Sequence, residues 1–295
     1  MKIFVPPIKC QGIKTKLVPW IIENIKIEPE GRWIEPFMGS GVVGFNVRPK
    51  AALFYDLNPH IINFYNDLKY SRITPNLVKE YLEVEGKNLN EKGGEYFYEI
   101  RERFNKNNKS LDFLFLSRSC FNGVMRFNRK GFFNVPFCKK NNRFAKPYIT
   151  KIVNQVNYIF EALKMYDWKF ECADFKNAIV NSNTEDFIYC DPPYFGRHVD
   201  YFNSWSEDDE YNLSRLLKET KSKFILSTWY KNIYRENEMI EKYWREFFIL
   251  TKDHFYHIGG KEENRNPMIE ALILNFEPDD ITFMRTSFRQ HAFTY

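Results

Sequence analysis

The chain has 295 residues, 44% of them apolar and 27% charged, enough to bury a substantial core as one large globular domain or two smaller ones. Five scattered cysteines, an odd number without CxxC spacing, argue against a disulfide framework, and five histidines form no recognisable ligand set, so no metal is expected. The opening MKIFVPPIKC has no apolar signal core, and no stretch approaches the roughly 20 apolar residues of a membrane span, so a cytoplasmic protein without a membrane partner is expected. The net charge of +5 is unevenly spread. Between Arg101 and Pro147 twelve Lys/Arg face only Glu102 and Asp112, a local balance of +10 that leaves the remainder at −5. A basic segment on a mildly acidic body is the footprint of a polyanion-binding element; a solvated charged face is the alternative.

Taken in order, Leu17, Ile21, Ile22 and Ile25 recur at helical spacing over residues 14–25, after a loop containing Gly12. Residues 32–36 read as a short strand running into Met38-Gly39-Ser40-Gly41, and Val42–Val47 resumes as a helix. Strand, glycine turn and helix form the nucleotide-binding opening of a Rossmann-like sheet, because glycine lets a ligand approach the backbone and a helix start offers free N–H groups. Two glycines alone do not single that fold out. The next strand, 51–55, ends at Asp56, where a carboxylate can accept from ribose hydroxyls. Asp56 or Asn58 could equally cap the helix over 63–68, and both roles can coexist.

Residues 74–118 read as charged helix interrupted at Asn107-Asn108-Lys109-Ser110. The texture then changes: SRSCFNGVMRFNRKGFFNVPFCKKNNRF mixes Gly, Asn, basic residues and Phe as a hairpin or irregular β-loop would. Basic side chains there can follow phosphates while Phe121 or Phe127 stacks on bases or wedges between them. Nine phenylalanines lie between Arg101 and Pro147, and for any one of them core packing is the commoner fate. A helix over 149–163 follows, then strands at 169–172 and Phe187–Cys190 with Asp174-Phe175 opening the helix between them. Helix 207–218, strand 224–227 and a closing pair, 247–256 and 268–276, complete the body. From Glu277 the tail is polar and aperiodic.

The most informative stretch is Phe187 to Gly196, FIYCDPPYFG. An uncharged strand ends in a stiff turn with Asp191 at its mouth, where open α/β sheets bind ligands. Pro192 and Pro193 remove two backbone donors and leave carbonyls without a local partner. If the Asp191 carboxylate and the Pro192 carbonyl each accept one N–H of an exocyclic base nitrogen, that nitrogen is drawn toward tetrahedral geometry and its lone pair is freed to attack a methyl donor. Tyr194 would stack on the base. A strand closed by a tight Pro-Pro turn under a packed aromatic is the plainer alternative.

The order of glycine loop, basic insertion and DPPY resembles the Dam-like (D12, or alpha-group) DNA adenine-N6 methyltransferases, over nearly the whole chain from Val5 to about Phe276. PIKCQGIKTKLVPWI is similar to the family's N-terminal S-adenosylmethionine (AdoMet) segment, with Lys9, Gly12 and Lys14 in register. EPFMGSGVVGFN is similar to its donor loop, which implies cofactor contacts from Glu35, Pro36, Phe37, Gly39, Ser40 and Gly41. Asp56, with Asn58, falls at the ribose-binding acid, and CADF, with Asp174 and Phe175, at the segment holding the donor adenine. FNGVMRFNRKGFFNVPF resembles the DNA-reading hairpin. The intercalating aromatic falls on Phe121, the guanine-reading arginine on Arg126, and flanking contacts on Asn122, Val124, Asn128 and Pro136. Lys9, Arg118, Lys139 and Lys140 are then expected on phosphates. GRHVDYFNSW and the late HFYHIGG look closest to the modification enzyme of a restriction system. Family members often carry Trp and Gly-Gly where this chain has Cys10 and Gly12-Ile13, and Phe121 replaces a Tyr, which keeps stacking and removes a hydroxyl contact.

The resemblance implies an α/β, Rossmann-like AdoMet-dependent sheet over residues 1–70 and 148–276, an inserted helical and β-hairpin target-recognition domain over 71–147, and a polar tail over 277–295. It implies transfer of a methyl group to N6 of a flipped adenine in double-stranded DNA, within a site having a GAT-like core, by a monomer that could have a cognate restriction endonuclease. Cytosine-N4, RNA adenine and protein-glutamine methylation use the same motif on other amines, although a peptide amide leaves the basic, Phe-rich hairpin without a purpose. A non-catalytic DNA-binding module is the alternative of a different class.

Overall fold

The structure, a computed structural model, describes residues 2–25, 30–195, 205–255 and 267–278. Most of GRHVDYFNSW and of HFYHIGG, and the tail beyond 278, lie outside the described residues.

Seven strands form one sheet: β1 (Trp33–Glu35), β2 (Ala51–Asp56), β3 (Asp167–Cys172), β4 (Phe187–Cys190), β5 (Lys223–Asn232), β6 (Phe248–Phe255) and β7 (Pro267–Leu274), in the order β3-β2-β1-β4-β5-β7-β6. The run from β3 to β5 is parallel, and β7 lies antiparallel between β5 and β6. The uncharged FIYC run is β4, buried at all four positions, as a strand covered on both faces must be. Its side chains alternate between two cores. Phe187 and Tyr189 join Trp33, Ile225 and Leu272 on one face, while Ile188 and Cys190 join Ile34, Phe224, Leu226 and Ile273 on the other.

On the second face lie α8 (Phe175–Val180) and α9 (Glu207–Glu219), through Phe175, Ile179, Leu213 and Leu217. The first face is covered by α1 (Val18–Glu23), α2 (Val42–Val47), α3 (Pro59–Lys69) and α7 (Lys146–Met165). Its core runs on without a break into α4 (Pro75–Lys92), α5 (Gly94–Asn107) and α6 (Ser110–Ser119). The high aromatic content is spent here. Phe45 packs on Trp168 and Phe54 on Phe170, and Phe104 on Phe113. Of the nine phenylalanines in the basic segment, Phe104, Phe113, Phe115, Phe133, Phe137 and Phe144 are buried, and only Phe121 and Phe132 are largely exposed.

Some boundaries differ from the sequence reading. Helix α1 begins four residues later than expected, because Pro19 suits the first helical turn and resists a continued helix before it. Helix α3 starts earlier, at Pro59, capped by Asn58. Strand β5 runs well past Ser227, because β7 pairs with it out to Asn232 across an irregularity at Trp229 and Lys231. The hairpin after α6 is an irregular β-loop, held by isolated bridges at Cys120–Phe137 and Phe127–Phe133. Its tip turns on Asn128, whose Oδ1 accepts from the N–H groups of Lys130 and Phe132, with Gly131 at φ +77°.

Candidate active site

The parallel strands bring Glu35, Asp56 and Asp191 to one edge of the sheet, and β1 lies between β2 and β4, where the connections leave in opposite directions. A crevice opens at such a switch point. Here it is a cavity of about 570 Å³.

One wall is the turn after β1. Glu35, 2% exposed, accepts from Trp33 Nε1 at 2.8 Å and from the Gly44 N–H at 3.1 Å, tying the strand to α2. Burial pushes its carboxyl up to about 8, against those two hydrogen bonds and with the help of the neighbouring Asp191 and Asp56 charges. Pro36, Phe37, Gly39 and Ser40 continue the wall. Gly39 has φ +49° and donates its N–H to Asp56 Oδ2 at 2.8 Å. The Ser40 carbonyl accepts from Tyr65 Oη at 2.8 Å. Gly41 does not line the cavity. At φ +74° it caps α2, and a β-carbon there would collide with the Phe45 ring, so packing requires glycine at this position.

Of Asp56 and Asn58, it is Asn58 that caps the helix. Asn58 Oδ1 accepts from the His60 N–H at 3.0 Å and caps α3. Asp56 faces the cavity and also accepts from the Asn58 N–H at 2.8 Å, so one carboxylate clamps both flanking loops. Burial raises its pKa and the two N–H groups oppose the shift.

Three rings cluster in the cavity lining. Phe37 stacks on Phe175 at 5.4 Å, and Trp205 meets Phe37 edge-on at 5.5 Å. Asp174 caps α8 through the Lys176 N–H. Trp205 is fixed by Glu210, which accepts from its Nε1 at 2.6 Å and from Trp244 Nε1 at 2.9 Å. Burial raises the Glu210 pKa.

At the mouth, Asp191 Oδ1 lies 2.9 Å from Lys14 Nζ. The Lys14 ammonium is also 4.6 Å from the centre of the Tyr194 ring, and the Tyr194 hydroxyl donates to Glu270 Oε2 at 2.7 Å. Pro193 lines the cavity, and the neighbouring Pro192 is buried. Burial raises the Asp191 pKa and Lys14 pulls it back.

Met125 and Phe127 of the hairpin reach the same cavity, with Phe127 stacked on His60 at 5.0 Å. Met125, Cys10 and Trp205 were not singled out in the sequence as cavity residues. All three stand inside motifs that the sequence singled out, but no signal assigned them to the cavity.

The other hairpin residues lie at the surface to different degrees. Phe121 is 54% exposed, next to exposed Asn122 at φ +53° and half-buried Val124. The Phe121 N–H donates to the carbonyl of exposed Pro136. Arg126 is half-buried, its Nε donating to Asn134 Oδ1 at 3.0 Å. Asn128 is exposed but uses its side chain in the turn. Lys139 and Lys140 are exposed. The Lys9 stem packs on Gly123, and burial, with Arg143 and Arg118 nearby, lowers its pKa to about 8. Arg118 departs from the expectation of a phosphate contact: it is 3% exposed and its Nη1 donates to the Pro7 carbonyl at 3.0 Å.

Among the described residues no group of three His, Cys, Asp or Glu could hold a metal ion, and no helix is long and apolar enough to cross a membrane. An aromatic box, a ribose-type acid and a second carboxylate around one cavity suit a nucleoside-bearing ligand that reacts beside Asp191.

A family model for the D12 class N6 adenine-specific DNA methyltransferases matches residues 11–258. The type II methyltransferase M.MjaIII of Methanocaldococcus jannaschii is 31% identical over 301 residues, covering 92% of this chain and 99% of that one. A DNA adenine methylase of Vibrio cholerae is 36% identical over 193 residues, 63% of this chain and 64% of that one. That of Escherichia coli is 31% identical over 180 residues, 59% and 60% of the two chains. Among solved structures, the rRNA methyltransferase aviRa of Streptomyces viridochromogenes aligns with 87% of this chain and 81% of its own at 11% identity and a TM-score of 0.35, too distant to carry an argument.

Proposed function

The chain belongs to the D12 class of N6 adenine-specific DNA methyltransferases, and from that premise we propose that it takes its adenine out of double-stranded DNA, within a GAT-like core, and holds it at Asp191 beside S-adenosylmethionine. The observation that carries this reading is that Asp191 lines the same cavity as Asp56 and the Phe37, Phe175 and Trp205 rings.

The residues present fit the donor. The cluster of three rings would give its adenine an aromatic wall to pack against, the lone pairs of Asp56 not used by the Gly39 and Asn58 N–H groups would accept from its ribose hydroxyls, and the loop of Gly39 and Ser40 lets it approach the backbone. When bound, it supplies an electrophilic methyl group. Asp191 Oδ1 is engaged by Lys14, so Oδ2 is the oxygen placed to accept an N–H from adenine N6, with the Pro192 carbonyl accepting the other. Drawing both hydrogens out of the ring plane localises the nitrogen lone pair. Tyr194, fixed by Glu270, borders the base.

A base inside a duplex cannot reach such a pocket, so it must be extruded. We assign that task to residues 71–147, inserted between the catalytic segments 1–70 and 148–276. Phe121 would fill the gap in the stack, Arg126, oriented by Asn134, would read a guanine, and Asn122, Val124, Asn128 and Pro136 would contact the flanking bases or backbone. Lys9, Lys139 and Lys140 would meet phosphates. The reading includes a monomer, and a cognate restriction endonuclease that methylation of the shared site would block.

The test is to incubate the protein with S-adenosylmethionine and unmethylated duplex DNA, digest to nucleosides and identify the product by mass spectrometry. N6-methyladenine is expected; N4-methylcytosine or no methylated base would overturn the assignment. Asp191→Ala should abolish transfer and retain DNA binding, because the lost contact acts in the transition state. Turnover near wild type would overturn the role given to Asp191.

A further inference from the structure

The family resemblance implies that Lys14 touches the methyl donor; in the structure it lines the cavity and its ammonium is paired with Asp191. The surroundings of Asp191 disfavour a negative charge. Glu270 on β7 is a carboxylate that acts on it through space, the Glu35 carboxyl at the end of β1 is itself held near 8 by burial, and Tyr189 and Cys190 of its own strand are buried and bring no positive charge. Among the described residues Lys14, from the segment before α1, is the cation paired with it, the two side chains 5% and 22% exposed, so the pair is only partly screened by water and salt.

We infer that Lys14 is a positioning residue of the transfer reaction: 2.9 Å from Asp191 Oδ1 and 4.6 Å from the Tyr194 ring centre, its ammonium keeps the carboxylate ionised and turned so that Oδ2 meets the incoming amino group. The inference rests on Asp191 being the acceptor for N6. That role needs the ionised form, because a protonated carboxyl gives up acceptor capacity and sets an O–H against the N–H of the base. An anion there also stabilises the positive charge that N6 gains on methylation. Burial pushes the Asp191 pKa up, Lys14 pulls it down and Glu270 pushes it up again. Without the ammonium the pKa moves further up, and at a given pH a smaller fraction of the enzyme carries the acceptor.

The experiment is the pH profile of the single-turnover methylation rate at saturating S-adenosylmethionine and duplex DNA, for wild type, Lys14→Met and Lys14→Arg. In Lys14→Met the acid limb should move up by about 1 to 3 pH units, the shift an adjacent opposite charge produces, with the rate recovering as pH rises. Lys14→Arg, which keeps the charge, should stay close to wild type. An unmoved limb with a raised KM for the donor would make Lys14 a donor contact and overturn the inference. An unmoved limb with a faster rate would also overturn it, making the ammonium an occupant of the base's own place.

Thermal melting supplies a readout apart from activity. A carboxyl with a raised folded pKa loses stability as pH rises from its unfolded value toward the folded one, so the Lys14→Met deficit should widen as pH rises above about 4. Adding Asp191→Asn should close it; a deficit that is constant with pH and survives Asp191→Asn would overturn the pairing. Asp191→Asn alone separates the two readings. A wild-type rate there overturns the acceptor assignment, whatever the melting curves report on the pair.

Discussion

Arg118 stands in the last turn of α6, inside a run of basic residues where the sequence places a phosphate contact. Packing decides otherwise. Its guanidinium donates to the Pro7 carbonyl and lies 5.0 Å over the Tyr148 ring, and its own carbonyl accepts from Arg143 Nε at 2.6 Å. It thereby fastens the N-terminal segment, two residues before Lys9, to the helices below the hairpin. Burial lowers its pKa, and a buried cation held in this way is costly to remove. Arg118→Met should lower stability by about 1.5 to 3 kcal/mol, the loss expected for a hydrogen bond made by a charged group, as read from urea midpoints. The dependence of DNA affinity on salt should keep its slope. Lys139→Ala, at an exposed site, should leave the urea midpoint in place and reduce that slope by about one. A reduced slope in Arg118→Met would return it to the phosphate contacts. Single-residue roles of this kind are the least legible part of the sequence, since a charge's partner is set by contacts more than a hundred positions away. Asp56 and Asn58 could be listed but not told apart until the extended backbone of Asn58 showed which one caps α3.

Elements were read more reliably, for a local reason. An uncharged run such as FIYC can only be a central strand, and a glycine turn between strand and helix fixes where α2 begins. Where tertiary pairing sets the limits, as in β5, the reading fell short. The hairpin was legible as to texture, although neither its isolated bridges nor its reach into the cavity through Met125 could be read. The β1–α2 unit carries a consequence for pH. Glu35 binds both elements through one oxygen, and α2 approaches so closely that a β-carbon on Gly44 would collide with Phe54 and with that carboxyl. Its folded pKa is about 8, above the unfolded value of 4.5. The folded state therefore holds the proton longer, and stability present below about pH 4.5 is lost as pH rises toward about 8, by at most about 1.4 kcal/mol per pH unit. Glu35→Gln should flatten that slope and gain relative to wild type between pH 5 and pH 8, measured by urea unfolding at both. A wild type equally stable at the two would mean that Glu35 stays ionised in the fold.

At the scale of the molecule, the charge segregation visible in the sequence divides labour between two surfaces. The sheet edge carries Glu35, Asp56 and Asp191 around the cavity, and the basic segment brings Arg126, Arg129, Lys130, Lys139 and Lys140 to the adjoining hairpin, although Arg103, Arg118 and Arg143 are spent on internal partners. One continuous core spans both, so the hairpin is held in a fixed place beside the mouth. Holding DNA and opening it should then be separable. Phe121 is 54% exposed on a left-handed turn, with its own N–H fixed by the Pro136 carbonyl, so its ring projects without being needed for the core. Phe121→Ala should leave folding and the salt slope of DNA binding unchanged, because no phosphate contact is lost. It should weaken extrusion, since a ring that refills the stack offsets part of an unstacking cost of a few kcal/mol. With 2-aminopurine in place of the target adenine, wild type should raise its fluorescence on binding, and Phe121→Ala should lose most of that rise and slow methylation in proportion. The same substitution at Phe132, 45% exposed near the hairpin tip, is the control and should change neither. An unaltered rise in Phe121→Ala would mean that the open duplex is held from the sheet side, and a loss shared equally by both variants would mean that the hairpin acts as a whole and not through one wedge.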